Sequence, residues 1–160
     1  MYQKMLVCAL IICSSILPAR AGTEDRDDVF TSQDLDFVVA EAKSWQGTRY
    51  QYGGKDKNGV DCSHFVYAVY STVFDGYDYR MADDYLHDSD FSLTKSPIVG
   101  DVIVFAAVGG ASAHMGIVTD VRARKFIGAQ STTGVKETSF APGSYWGKRP
   151  YKILSLLPAE

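Results

Sequence analysis

The spacing of apolar residues changes once along this chain, and that change limits the folds open to it. Up to residue 74 the spacing is helical. Thr31 followed by Asp34 has the form of a capping box, and Leu35, Val38, Val39, Ala42 and Trp45 recur on one helical face. Gly47 stops that helix. A glycine-containing loop follows over 50–58, and a second helix opens at Cys62. Phe65, Val66, Val69, Tyr70, Val73 and Phe74 give this helix an apolar face broad enough to be buried. After Pro97 and Gly100 the pattern shortens to strands. Residues 102–105 are a continuous apolar run, and 114–118, 125–130 and 151–157 follow between glycine or polar turns. Helices first and strands second predict an α+β fold, with N-terminal helices packed on an antiparallel sheet. Residues 75–98 fit neither period. They are rich in aspartate and aromatics, and suggest only a short helix over 81–86.

The first 21 residues read as a secretory signal. Lys4 supplies the positive start, Met5 to Leu17 is a nearly unbroken apolar run, and Ala19-Arg20-Ala21 is a small-x-small cleavage site. The run is too short to span a bilayer comfortably, so a retained anchor is the weaker reading. Neither Cys8 nor Cys13 follows the small residues of a lipid-attachment site. Cleavage would leave 139 of the 160 residues, enough for one domain over 31–160 after a polar, flexible leader at 22–30. Without Lys4 and Arg20 the 16 basic residues fall to 14, against 19 acidic ones. No basic run offers electrostatic support for nucleic-acid binding. A monomer in the periplasm or outside the cell, with no membrane insertion after cleavage, is the expectation.

That cleavage would also make Cys62 the only cysteine, with no disulfide partner. It stands in Gly59-Val60-Asp61-Cys62-Ser63-His64-Phe65-Val66, at the start of the second helix. Unpaired backbone N–H groups and the helix dipole there favour a thiolate, the nucleophilic form of cysteine. A nucleophilic thiol needs a base, and the base needs an orienting group. His64 is two residues on and points to another face of the helix. His87 lies in the acidic segment with no strand to fix it. His114 begins an apolar strand and is the better base. On the next predicted strand, Gln130 shares a face with Gly128 and can accept a proton from the imidazole, fixing its tautomer. No metal-ligand spacing is present, and no cofactor is implied.

The blocks Gly47-Thr-Arg-Tyr50-Gln-Tyr-Gly53-Gly54 and Gly59-Val-Asp61-Cys62-Ser63 closely resemble the NlpC family of cell-wall cysteine peptidases. So do Gly100-Asp101-Val-Ile-Val-Phe, His114-Met-Gly-Ile-Val and Phe126-Ile-Gly-Ala-Gln-Ser-Thr-Thr-Gly134-Val135, in the family's order. The resemblance implies a papain-like fold and hydrolysis of peptidoglycan stem peptides, usually at the bond from the D-glutamate γ-carboxyl to diaminopimelate. It makes Cys62 the nucleophile and His114 the base. Tyr50 matches a tyrosine that helps polarise the scissile carbonyl, and Asp61 and Ser63 match substrate-contacting positions. There are two departures. His64 replaces the usual glycine, and Gly128 stands where many members carry the third catalytic histidine. Gln130 is therefore assigned the orienting role. The segment 75–91 is expected to form a rim or lid, with aspartates for the diaminopimelate amine and Arg80 for its carboxylate. Tyr145 and Trp146 are candidates for the cleft wall or the core. Two other readings stay open: an amidase cutting between muramic acid and L-alanine with the same machinery, and a wall-peptide-binding module without turnover.

Overall fold

Helix α1 runs over Ser32–Ser44, and its start is fixed by a reciprocal cap. The Thr31 hydroxyl accepts from the Asp34 backbone while the Asp34 carboxylate accepts from the Thr31 backbone. This is a computed structural model, and it describes residues 31–156; the signal and leader readings lie outside the described residues. The predicted apolar stripe is the buried face, with Leu35, Val38, Val39 and Ala42 all inside. Gly47 ends the element at φ +86, a conformation that costs glycine little.

Helix α2, Cys62–Val73, begins at the predicted residue. Asp61 is its N-cap and accepts from the His64 backbone N–H at 2.8 Å. Its buried face carries Phe65, Val66, Val69 and Tyr70 across the middle of the domain. The strands are β1 (Lys55–Asp56), β2 (Gly59–Val60), β3 (Ser92–Leu93), β4 (Val102–Phe105), β5 (His114–Asp120), β6 (Lys125–Gln130), β7 (Gly134–Ser139) and β8 (Tyr151–Ser155). β1 and β2 form a small hairpin. The others form one antiparallel sheet in the order β3-β8-β4-β5-β6-β7. The predicted α+β arrangement is therefore the one observed.

The sheet has two different faces. Val102, Val104, Met115, Ile117, Ile127, Ala129 and Leu154 join the two helices in the larger core. Ile103, Phe105, Val118, Phe126 and Ile153 point the other way, where Phe140 and Trp146 cover them. This alternation is the period-2 signature of a strand buried on both sides.

The structure departs from the sequence expectation in the loop 50–58, at β7 and in 75–98, where the unexpected two-residue strand β3 also falls. The loop 50–58 contains strand β1, and β2 follows it directly; with two residues each, neither strand can show a period. β7 was not expected, because Lys136, Glu137 and Thr138 give an edge strand no apolar alternation. The segment 75–91 is neither rim nor lid. It packs beside α2, with Tyr77 and Phe91 against Tyr70 at ring separations of 5.1 and 6.4 Å. Its only helical element is a single 3-10 turn at Asp84–Leu86. Arg80, expected to meet a substrate carboxylate, is paired with Asp88 and Asp90 of its own segment.

Candidate active site

A cleft of about 660 Å³ opens at the end of the sheet where β5 begins and β6 finishes. Its walls include Tyr50, Cys62, His114, Gln130, Trp146 and Arg149. Four of the six predicted site residues are thus brought together. Asp61 and Ser63 are not part of the wall. Both are buried, and Asp61 is saturated by the protein itself. It accepts from the Gly53 and His64 backbones, from the Ser63 hydroxyl at 2.9 Å and from His64 Nδ1 at 3.1 Å. These bonds hold its carboxyl below the usual range against the upward pull of burial. Ser63 also meets the Tyr79 hydroxyl at 2.8 Å, and the Tyr79 ring lies on His64 at 4.5 Å. The cap and its surroundings thus anchor α2 and the 75–91 segment in one network.

The cap sets the position of Cys62, the first residue of α2. Backbone N–H groups of Met115, Cys62 and Ser63 face its sulfur and favour the thiolate. Burial acts in the opposite direction and wins, with the Asp61 charge adding to it, so the thiol is pushed up. This departs from the low-pKa thiol expected for a helix N-terminus. The dipole argument holds for a wet helix end, and here the half-burial of Cys62 outweighs it.

His114 is 7% exposed and begins β5 opposite Phe105. Its ring stacks on Trp146 with centroids 4.4 Å apart and planes 24° from parallel. Phe126 meets it edge-on at 6.1 Å. Burial, helped by the positive charge of Arg149, pushes the imidazole down to about 3. At rest the pair is therefore a thiol and a neutral imidazole. Neutral imidazole is the form that can accept the thiol proton at the moment of attack.

The imidazole is held by stacking, without a hydrogen bond at Nε2. That atom is buried and has no partner. A Cβ placed on Gly128 would lie 3.3 Å from it, so Nε2 faces Gly128, which has no side chain to offer it a partner. Gln130 lines the cleft, but its amide nitrogen donates to the Lys136 carbonyl at 3.3 Å. The expected Gln130–His114 contact is not formed. Gln130→Ala should accordingly leave turnover within about twofold of the unaltered protein, as half-exposed substitutions usually do. A loss above tenfold in a peptide hydrolysis assay would return Gln130 to the catalytic group.

Tyr50 stands half-buried near the sulfur. Burial first, then the Cys62 and Asp61 charges, push its phenol up, so it remains a proton donor. Arg149 is the residue the sequence reading missed. A single arginine before Pro150 has no periodicity to mark it, and only its place after Tyr145-Trp146 could have drawn notice. No group of three or more His, Cys, Asp or Glu among the described residues is placed to hold a metal ion.

A cysteine at the start of a central helix, with a buried histidine on the sheet across one cleft, defines a papain-like domain of the cysteine-hydrolase type. The chain belongs to the NlpC/P60 family, whose profile matches residues 47–155. It is 30% identical over 113 residues to the Escherichia coli protein named "Murein DD-endopeptidase MepS/Murein LD-carboxypeptidase", covering 70% of this chain and 57% of that one. It is 32% identical over 110 residues to the "Probable endopeptidase NlpC" of the same species, covering 66% of this chain and 68% of the relative. Among solved structures, the NlpC/p60 domain of the peptidoglycan hydrolase SagA superposes with a TM-score of 0.57 at 28% identity. That match covers 74% of this chain and 97% of the SagA domain. The chain spans little more than half the length of the MepS relative.

Proposed function

We propose that this protein is a cysteine peptidase that hydrolyses peptidoglycan stem peptides in the periplasm or outside the cell. The preferred bond is the one from the γ-carboxyl of D-glutamate to diaminopimelate. The observation that carries this reading is the placement of Cys62 and His114 on one cleft, in a family whose relatives are named murein and peptidoglycan endopeptidases. The apolar start of the chain, with its small-x-small site, supports export.

The chemistry follows from the groups present. Neutral His114 takes the thiol proton as Sγ of Cys62 attacks the scissile carbonyl carbon. The oxyanion that forms is met by the phenolic O–H of Tyr50 and by the backbone N–H of Cys62, both donors beside the sulfur. The imidazolium then gives its proton to the leaving amine, and the C–N bond breaks to leave a thioester on Cys62. A water, deprotonated by His114, attacks the thioester. Its proton returns to the sulfur as the acid product leaves. Stacking on Trp146 holds the ring through both transfers.

Purified sacculi digested with the full chain, with fragments weighed by mass spectrometry, test the proposal. Fragments ending at D-glutamate support it. Release of intact stem peptides from muramic acid would mean an amidase instead, and uncut sacculi would mean a binding module.

A further inference from the structure

Arg149 poses a problem that the catalytic scheme does not solve. Among the described residues it is the only permanently charged side chain on the cleft wall. Its Nη2 donates to two backbone carbonyls, Ala106 O and Ser112 O, the latter at 2.9 Å. Carbonyls satisfy N–H groups but do not neutralise a cation. No carboxylate of the described residues lies within ion-pair distance of it. Its Nε is buried and has no hydrogen-bond partner. A buried, unpartnered donor on a guanidinium with no counter-charge calls for an acceptor, and a carboxylate oxygen supplies both the acceptor and the charge.

The position of Arg149 says which carboxylate. Its guanidinium carbon is 5.2 Å from the centre of the Trp146 ring, the same ring on which His114 stacks at 4.4 Å. His114 is the group that protonates the leaving amine. In an α-amino acid one carbon joins the amine to the carboxylate, so a leaving amine at His114 brings its own carboxylate to this neighbourhood.

We infer that Arg149 binds the free α-carboxylate of the residue on the leaving side of the scissile bond. Stem peptides that end at that residue are then the favoured substrates of this cleft. This rests on the peptidoglycan reading for the identity of the peptide, but not for the carboxylate preference itself. Selection of this kind needs a fixed cation, and the two carbonyl bonds hold the half-buried Arg149 in place before substrate arrives. Burial is the larger cause of the lowered His114 imidazole; a bound carboxylate would offset the positive charge of Arg149 that adds to it, making the base stronger when the correct substrate is present.

The test compares two probes that differ at one group. One is L-alanyl-γ-D-glutamyl-diaminopimelate with a free carboxylate beside the leaving amine. The other is the same tripeptide amidated at that carboxylate. Binding is measured by calorimetry on the full chain carrying Cys62→Ala, so that no turnover intervenes. The acid is expected to bind at least about tenfold more tightly than the amide. Adding Arg149→Met should bring the two affinities within about twofold of each other. Arg149→Lys, which keeps the charge but loses the Nε donor and the two anchoring carbonyl bonds, should retain part of the preference. Equal affinities with Arg149 present, no binding of either probe, or an undiminished preference in a folded Arg149→Met protein would each overturn the inference. The acid–amide comparison needs no change at Arg149, so it stands even if that variant fails to fold. Uncut sacculi together with a tenfold acid preference would remove the hydrolase reading and leave the carboxylate site intact.

Discussion

Replacing Cys62 by alanine is expected to lower peptide hydrolysis by roughly 10⁴- to 10⁶-fold while leaving the domain folded. The nucleophile is the one group in the scheme with no substitute. Ser63 is buried and turned to the Asp61 and Tyr79 network, so its hydroxyl cannot take over. The stability cost is small for identifiable reasons. Cys62 is half-buried at the edge of the core, and alanine is a better helix former than cysteine. The cap that starts α2 belongs to Asp61 and is untouched. Sacculus digestion reads the activity, and thermal melting followed by circular dichroism reads the fold. An alanine variant that digests sacculi at anything near the native rate would remove Cys62 from the chemistry. A variant that is inactive because it is unfolded would show in the melt.

Local signals made much of this architecture legible. The capping pattern Thr31–Asp34 and the Asp-Cys-Ser start of α2 each depend on residues close in sequence, and both helices begin where those patterns put them. β4 and β6 match their predicted residues, because strands buried on both faces are written as continuous apolar runs. What the sequence concealed depends on distant partners. β7 is polar because it lies at the sheet edge, a position that only the strand order reveals. The aspartates of 75–91 suggested charges open to a ligand, but Asp88 and Asp90 are paired with Arg80 in their own segment. The thiol of Cys62 was read from its helix terminus, while its protonation is governed by burial under β5. Arg149 comes from the far end of the chain and joins the site only because the turn at Trp146–Lys148 folds over the sheet.

His114→Ala is expected to lower turnover by about 10²- to 10⁴-fold, the usual range for loss of a positioned base. Its effect on the thiol itself separates two mechanisms. If the resting site held a thiolate–imidazolium ion pair, removing the imidazole would remove the cation that stabilises the thiolate. The alkylation inflection of Cys62 would then rise. In this structure the imidazole is neutral at rest, pushed down to about 3 by burial and the charge of Arg149, while burial pushes the thiol up. With no cation to lose, the inflection should not rise in His114→Ala. In the unaltered protein it should already lie above the ~8.5 of an exposed thiol. The same assignment fixes a sign for the pH profile. In the proposed scheme His114 works in its neutral form, so protonation of the base should not reduce kcat/KM between pH 7 and pH 5, where an ordinary histidine near 6.5 would already be charging. Iodoacetamide inactivation rates across pH, in the native protein and in His114→Ala, measure this directly. A native inflection well below 8.5 that climbs in the variant would establish the ion pair. A high inflection that stays put, with turnover lost, is the outcome expected of a general base that acts only once the substrate carbonyl is in place.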